Sequence, residues 1–153
     1  MYLRVDDVMT SKVNTIDASL TAGQAAKMMT KIGVSSLVVT SENRITGILT
    51  ENDLVTQVMA RGLSPRSIKV SEIMTQPVIV VKPDSPLDQA VRIMLSQGIA
   101  NLPVVGGEQG QDLVGALSIT EVAMMHPGLY ATVTQLEESL RALDETRATL
   151  YIS

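Results

Sequence analysis

Thr50 and Ser118 are hydroxyl residues that are each followed three positions later by an acid, Asp53 and Glu121 respectively. Each pair is compatible with a helix-capping box, in which the hydroxyl and the acid each accept from the other residue's backbone amide. Each is also compatible with a ligand site, because a carboxylate there can accept from a ribose diol while a hydroxyl and free amides hold phosphate. The residue types alone leave both interpretations open.

Side-chain length gives a reason to assign the two pairs differently. A capping box favours Glu or Gln at its far end, because the side chain must reach back to the first amide. Glu121 meets that demand, whereas the side chain of Asp53 is one methylene shorter. We therefore expect Ser118 and Glu121 to act mainly as a cap, and Thr50 and Asp53 to bind a ligand.

The two pairs belong to a sequence repeat, because the stretch 47–54 returns as 115–122. Other positions recur 65 residues later, with Met9, Gly33 and Leu37 matching Met74, Gly98 and Leu102. The extra residues of the second repeat fall in a glycine-rich turn at 106–110, where an insertion costs little. Each repeat is too small to bury both faces of a sheet, so we expect the two to pack about a pseudo-twofold axis.

The elements that position these residues follow from hydrophobic periodicity, which predicts β-α-β-β-α in each repeat. In the first repeat we expect a short strand over 14–17, a helix over 19–32, strands over 36–40 and 45–49, and a helix over 50–61. Ser19 is the predicted cap of the first helix and Gly33 its end. We place the first repeat at 1–64, the second at 65–126 and a C-terminal amphipathic helix at 127–153.

Three recurring motifs identify a known pattern. They are Val8-Met9-Thr10 with Ile73-Met74-Thr75, the stretch 98–105 (GIANLPVV) and the stretch 47–54 (GILTENDL). Over about residues 5–122 this ordered set resembles a tandem pair of CBS domains, the Bateman module. The resemblance implies an α+β fold of two pseudo-twofold-related repeats, whose small three-stranded sheets pack together with the helices outside.

The resemblance also implies a regulatory function without catalysis. The ligand would be an adenine nucleotide (AMP, ADP or ATP) or S-adenosylmethionine, held in the cleft between the repeats, and no cofactor would be required. The implied nucleotide-binding residues are Thr50, Asp53, Ile99, Ala100, Asn101 and Pro103. A second, weaker pocket would contain Thr15, Val34, Ser35, Ser36, Ser118 and Glu121. Glu121 departs from the family's aspartate, and Val38 replaces the proline matched by Pro103. The alternative function is a ligand-free module that only dimerises.

Composition argues against several other classes of protein. The formal net charge is -4 and there is no Phe or Trp, so neither duplex nor single-stranded nucleic acid is an expected partner. There is no Cys and one His, His126, so we expect no metal site. No apolar run has membrane-spanning length, which favours a cytoplasmic protein that does not insert into membranes. The nine Met are expected to fill the core.

The tail outside the repeats shows a heptad pattern at Leu129, Val133, Leu136, Leu140 and Leu143, with Leu150 in the same register. One interpretation is a helix packed on its own module. The other, slightly favoured by the narrow apolar seam, is a continuous helix over 129–149 that contributes to a dimer contact. The family resemblance also implies a homodimer formed through the outer helices.

Overall fold

The computed structural model describes residues 2–135 and residue 138. It has a mixed α+β fold, as predicted. The strands are β1 (Thr15–Asp17), β2 (Ser36–Ser41), β3 (Arg44–Thr50), β4 (Asn101–Gly106) and β5 (Asp112–Ser118). The helices are α1 (Ala22–Ile32), α2 (Glu51–Leu54), α3 (Val70–Ile73), α4 (Leu87–Gln97) and α5 (Ile119–Met125). A 3-10 turn spans Val5–Asp7, and residues 127–135 and 138 are helical.

Helix α1 begins later than predicted because a different residue caps it. Thr21 and Gln24 form a complete capping box, so the expected cap at Ser19 is wrong. Ser19 instead donates from its amide and its hydroxyl to Asp17, at 2.9 and 2.6 Å. Gly33 ends the helix with a φ of 81°, as predicted, because a left-handed residue there closes the last turn without a Cβ clash.

The hairpin of the first repeat is confirmed. Strands β2 and β3 pair antiparallel with Leu37 opposite Leu49, and β1 pairs parallel to β2. Glu42 and Asn43 both have positive φ at the turn, as a tight primed turn requires. The strand order is β1-β2-β3-β5-β4, in which β3 meets β5 at a single pair, Arg44 with Asp112.

The helix predicted over 50–61 changes its hydrogen bonding after one turn. Helix α2 passes into a π-helical segment at Val55–Met59, where the Ala60 amide donates to the Val55 carbonyl, five residues earlier, at 2.8 Å. Val55 and Met59 are left 57% and 78% exposed. The corresponding α5 is a regular α-helix.

Two compact units make up the fold, and neither is a continuous stretch of chain. The unit that contains Thr50, called here the Thr50 unit, consists of Ser11–Val80 and Val105–Val114. The unit that contains Ser118, called here the Ser118 unit, consists of residues 2–10, residues 81–104 and the described residues from Gly115 onward. The leading segment of each repeat, residues 4–10 and 69–75, therefore lies in the unit built mainly from the other repeat.

Backbone hydrogen bonds hold the leading segments in equivalent ways. In the Thr50 unit the Val70 amide donates to Leu20, at 2.8 Å, and Thr75 pairs with Ile48. In the Ser118 unit the Val5 amide donates to Ser85, at 2.9 Å, and Thr10 pairs with Ala116. The repeat detected in the sequence is thus present in the hydrogen bonds that bring each segment to its sheet.

Each unit has its own apolar core. The core of the Thr50 unit includes Ile16, Ala25, Met29, Leu37, Leu49 and Val70, all at most 3% exposed. In the Ser118 unit Leu87, Val91, Met94, Leu102 and Leu117 are at most 1% exposed. The expectation that all methionines fill the core is wrong for Met59, Met124 and Met125, which are mostly exposed.

The described part of the tail packs on its own chain at one position. Val133 is 2% exposed and belongs to the Ser118 unit. This burial favours the interpretation in which the helix packs on its own module, at least over its first turns. The rest of the predicted helix, including Leu136, Leu140, Leu143 and Leu150, lies outside the described residues.

Candidate ligand site

Thr50 and Asp53 form a complete capping box at the point where β3 ends and α2 begins. The Thr50 amide donates to Asp53 Oδ2 at 2.9 Å, and the Asp53 amide donates to Thr50 Oγ1 at 3.1 Å. The short aspartate therefore does reach back to the first amide. These two bonds tie each side chain to the backbone of the other residue.

Ser118 is the N-cap of α5, as expected, but its capping box is incomplete. Ser118 Oγ accepts from the Glu121 amide at a long 3.4 Å, and within the described residues no capping box forms between these two residues. The longer side chain of Glu121 does not return to the start of its helix. Side-chain length alone is thus a poor guide, because the shorter Asp53 carboxylate lies 2.9 Å from the Thr50 amide while the longer Glu121 makes no such bond with Ser118.

Asp53 has a further partner that the sequence analysis missed. The hydroxyl of Thr75 lies 3.1 Å from Asp53 Oδ1 and 3.2 Å from Oδ2. Thr75 is exposed and Asp53 is half-buried. The sequence repeat could have drawn attention to Thr75, because Met74-Thr75 of the second repeat matches Met9-Thr10 of the first.

Other predicted site residues of the Thr50 unit lie beside this group. The Glu51 amide donates to the Ser35 carbonyl at 3.0 Å, and Ser36 pairs with Thr50 across the β2–β3 ladder. Thr15 is exposed on β1, opposite Val38, and Val34 is half-buried. The structure therefore brings Ser35 and Ser36 to Thr50 and Asp53, although the sequence analysis assigned them to the second pocket.

The Ser118 unit repeats this arrangement. The Ile119 amide donates to the Ala100 carbonyl at 2.9 Å, which places Ala100 next to Ser118. Ala100 and Asn101 are exposed, and Ile99 is half-buried. Pro103 is buried in β4, where its carbonyl accepts from the Val81 amide at 3.1 Å. Its ring is therefore less accessible to a ligand than Ile99, Ala100 and Asn101.

One carboxylate outside this group is electrostatically distinct. The pKa of Asp17 is lowered because the Ser19 hydroxyl donates to its carboxylate, with the Ser19 amide as a second donor; burial opposes this only weakly. In the chain from residue 2 to 135 and at residue 138, no cluster of three His, Asp or Glu side chains is arranged to hold a metal ion.

The family is established by comparison with known proteins. The family model described as CBS domain matches the chain twice, over residues 5–60 and 70–125. The chain belongs to the CBS-domain family. The CBS pair is a regulatory module, and the two matches correspond to the two repeats of the sequence.

Relatives and solved structures agree with this membership. An uncharacterised protein of Methanopyrus kandleri is 33% identical over 142 residues, which cover 92% of this chain and 70% of that protein. A hexameric CBS-CP12 protein from bloom-forming cyanobacteria is 27% identical, with a TM-score of 0.68 and coverage of 98% of this chain and 92% of that one.

A third similarity concerns the fold alone. A CBS domain pair solved in complex with 5′-methylthioadenosine and S-adenosyl-L-methionine is 24% identical, with a TM-score of 0.70 and coverage of 84% of this chain and 98% of that one.

None of the helices among the described residues has the length and apolar character needed to span a bilayer.

Proposed function

We propose that this CBS pair senses an adenosyl ligand, namely AMP, ADP, ATP or S-adenosylmethionine, and regulates another activity without catalysing a reaction itself. The observation that carries the proposal is the carboxylate of Asp53, which is held at the end of β3 with acceptor capacity left over. A fold-level neighbour binds S-adenosyl-L-methionine and 5′-methylthioadenosine, which makes an adenosyl ligand the chemistry to test first.

In this proposal Asp53 accepts from the ribose hydroxyls. A carboxylate can accept about four hydrogen bonds, and the Thr50 amide and the Thr75 hydroxyl together supply two donors. The remaining positions suit a vicinal diol, as an acidic residue does in dinucleotide folds. The Thr50 hydroxyl, which already accepts from the Asp53 amide, keeps its own proton available for a phosphate oxygen.

The remaining predicted contacts stay predictions. Ile99, Ala100, Asn101 and Pro103 are proposed for the adenine of the main pocket, with Asn101 offering an amide. Thr15, Val34, Ser35, Ser36, Ser118 and Glu121 are proposed for a second, weaker pocket. Because Ser35 and Ser36 lie beside Thr50, both serines are also to be tested for contact with the ligand of the main pocket.

The second candidate is a ligand-free interaction module. It is favoured by one observation, the 57% and 78% exposure of Val55 and Met59, which lie one turn apart on the π-helical segment. Such a contiguous apolar pair on an outer helix suits a contact between two copies of the chain. A homodimer is compatible with both candidates, and the two differ only in whether a small molecule binds.

Thermal unfolding separates the candidates. The midpoint of thermal unfolding is measured for the protein alone and with saturating AMP, ADP, ATP or S-adenosylmethionine. Inosine is the control, because it has the ribose but not the adenine. A ligand at a hundred times its Kd stabilises the native state by about 2.7 kcal/mol, which raises the midpoint of a chain of this size by roughly 5–10 °C. A midpoint unchanged by all four ligands would leave the ligand-free module as the function.

A further inference from the structure

We propose that Thr75 is a positioning residue for the ligand. Its hydroxyl holds the Asp53 carboxylate in the orientation that accepts a ribose diol, so that the leading segment of the second repeat takes part in recognition by the first. The inference rests on the proposed function of Asp53 and extends it to a residue that neither the repeat pattern nor the capping box assigns.

The contact is tertiary and involves both oxygens of the carboxylate. Thr75 follows Asp53 by 22 residues, and its Oγ1 is nearly equidistant from Oδ1 and Oδ2, at 3.1 and 3.2 Å. A hydroxyl has a single proton to donate, so that proton is shared between the two oxygens. The shared bond holds the plane of the carboxylate, which the Thr50 amide alone, bonded to Oδ2, does not do.

The Thr75 hydroxyl is itself fixed by its backbone. The Thr75 amide donates to Ile48 at 2.8 Å, and the Ile48 amide donates back at 3.1 Å. The preceding Met74 side chain packs where Gly47 has no Cβ; a Cβ there would lie 2.5 Å from the Met74 sulfur. These contacts hold the Thr75 hydroxyl next to the end of β3, where the capping box also lies.

This geometry orients the acceptor without blocking it. Thr50 and Thr75 bring two donor protons to a carboxylate that can accept about four, which leaves capacity for the two hydroxyls of a ribose. Because Thr75 is exposed, a ligand can reach the same edge of the carboxylate. Fixing the Asp53 rotamer before binding removes an ordering cost that the ligand would otherwise meet.

Calorimetric titration with AMP and 2′-deoxy-AMP tests the inference on the full chain. Thr75→Val removes the proton donor at nearly constant shape, and Thr75→Ser restores it. Thr10→Val is the matched control, because Thr10 holds the equivalent place in the other leading segment, paired with Ala116. We expect Thr75→Val to lower AMP affinity about tenfold, because the ligand must then meet the cost of ordering the Asp53 carboxylate. It should lower 2′-deoxy-AMP affinity less, so that the preference for ribose shrinks.

The serine variant should recover both affinities, and Thr10→Val should change neither. The same variants are titrated with S-adenosylmethionine, for which valine must weaken binding and serine restore it. A purely structural role would lower the unfolding midpoint of Thr75→Val while leaving the ratio of AMP to 2′-deoxy-AMP affinity unchanged, and that result overturns the inference. An equal loss in Thr10→Val does the same.

Failure of the inference is distinguishable from failure of the proposed function. If none of the probes binds the unaltered protein, both proposals fall. If a probe binds and Asp53→Asn weakens it while Thr75→Val does not, only the positioning role of Thr75 is lost.

Discussion

At the scale of single residues, Thr50 and Asp53 close a complete capping box, whereas Ser118 caps α5 through its hydroxyl alone. Side-chain length describes how far an acid can reach, but not where the backbone puts it. The Thr50 amide lies within 2.9 Å of the Asp53 carboxylate, although that side chain is the shorter of the two acids. The second partner of Asp53, Thr75, comes from a distant part of the chain, and local spacing contains no information about such a contact.

The complete capping box at Thr50 and Asp53 leads to a stability prediction. Without ligand, we expect Asp53→Ala to lower the free energy of unfolding by about 1 kcal/mol, the usual loss on removing a cap. Glu121→Ala should stay within about 0.5 kcal/mol of the unaltered protein, as surface substitutions do. Urea unfolding of the two variants measures both. A larger loss for Glu121→Ala would show that the carboxylate of Glu121 caps its helix in solution.

At the scale of elements, the sequence predicted the strands and helices but not the exchange of the leading segments. Gly47 and Gly115, which begin the repeated stretch, permit this exchange. Because they have no Cβ, a leading segment can lie close to each of them. A Cβ on Gly115 would lie 2.7 Å from the Thr10 carbonyl oxygen and 2.9 Å from the Met9 sulfur.

Alanine at these glycines should therefore destabilise the fold unequally. At Gly47 the nearest atoms belong to the flexible Met74 side chain, whereas at Gly115 the nearest atom is backbone. We expect Gly115→Ala to cost about 3 kcal/mol and Gly47→Ala about 1 kcal/mol, the two ends of the usual range for overpacking. Chemical denaturation measures both.

Gly128→Ala is the control for this pair, since nothing lies within 4 Å of a Cβ there and the residue is helical. It should be neutral or stabilising, as alanine is in helices. Equal losses at all three glycines would indicate a general backbone effect and contradict the role of close approach.

The tail allows a second prediction about an element. Because Val133 is buried within its own chain, Val133→Ala should lower the free energy of unfolding by about 2 kcal/mol, for two lost methyl groups and a cavity. Thr132→Ala, at an exposed neighbouring position, is the control. Unfolding is followed at two protein concentrations. If Val133→Ala instead changes the dimer dissociation constant and leaves the unfolding of the monomer unaltered, the helix pairs with a second copy.

At the scale of the whole molecule, the repeat was the most informative feature of the sequence. Matches at a regular offset of 65 residues predicted the family and the α+β class, because each matched residue has the same environment in both copies. The interleaved composition of the two units was not predictable in the same way. It depends on pairings such as Thr75 with Ile48 and Thr10 with Ala116. The repeat indicates that these two pairings are equivalent, but it does not indicate which sheet each leading segment joins.

The predicted homodimer is tested at this scale as well. If the outer helices form the contact, Met59→Glu should weaken dimerisation, because it places a charge on an exposed apolar position of the π-helical segment. Tyr2→Glu is the control, since Tyr2 is 94% exposed and lies outside those helices. Light scattering over a range of concentrations measures the effect. A monomer at all concentrations in the unaltered protein would contradict the dimer itself.

The central claim is that the carboxylate of Asp53 binds the ribose of an adenosyl ligand, and ligand affinity of Asp53→Asn tests it most directly. The asparagine oxygen can still accept from the Thr50 amide, so the cap is kept while the charge and one acceptor are lost. We compare calorimetric affinities for the ligand with the largest thermal shift, using Asp84→Asn, at an exposed aspartate outside both proposed pockets, as the matched control. We expect a loss of about tenfold or more in Asp53→Asn and little change in Asp84→Asn. Equal affinities in Asp53→Asn and the unaltered protein would contradict the claim.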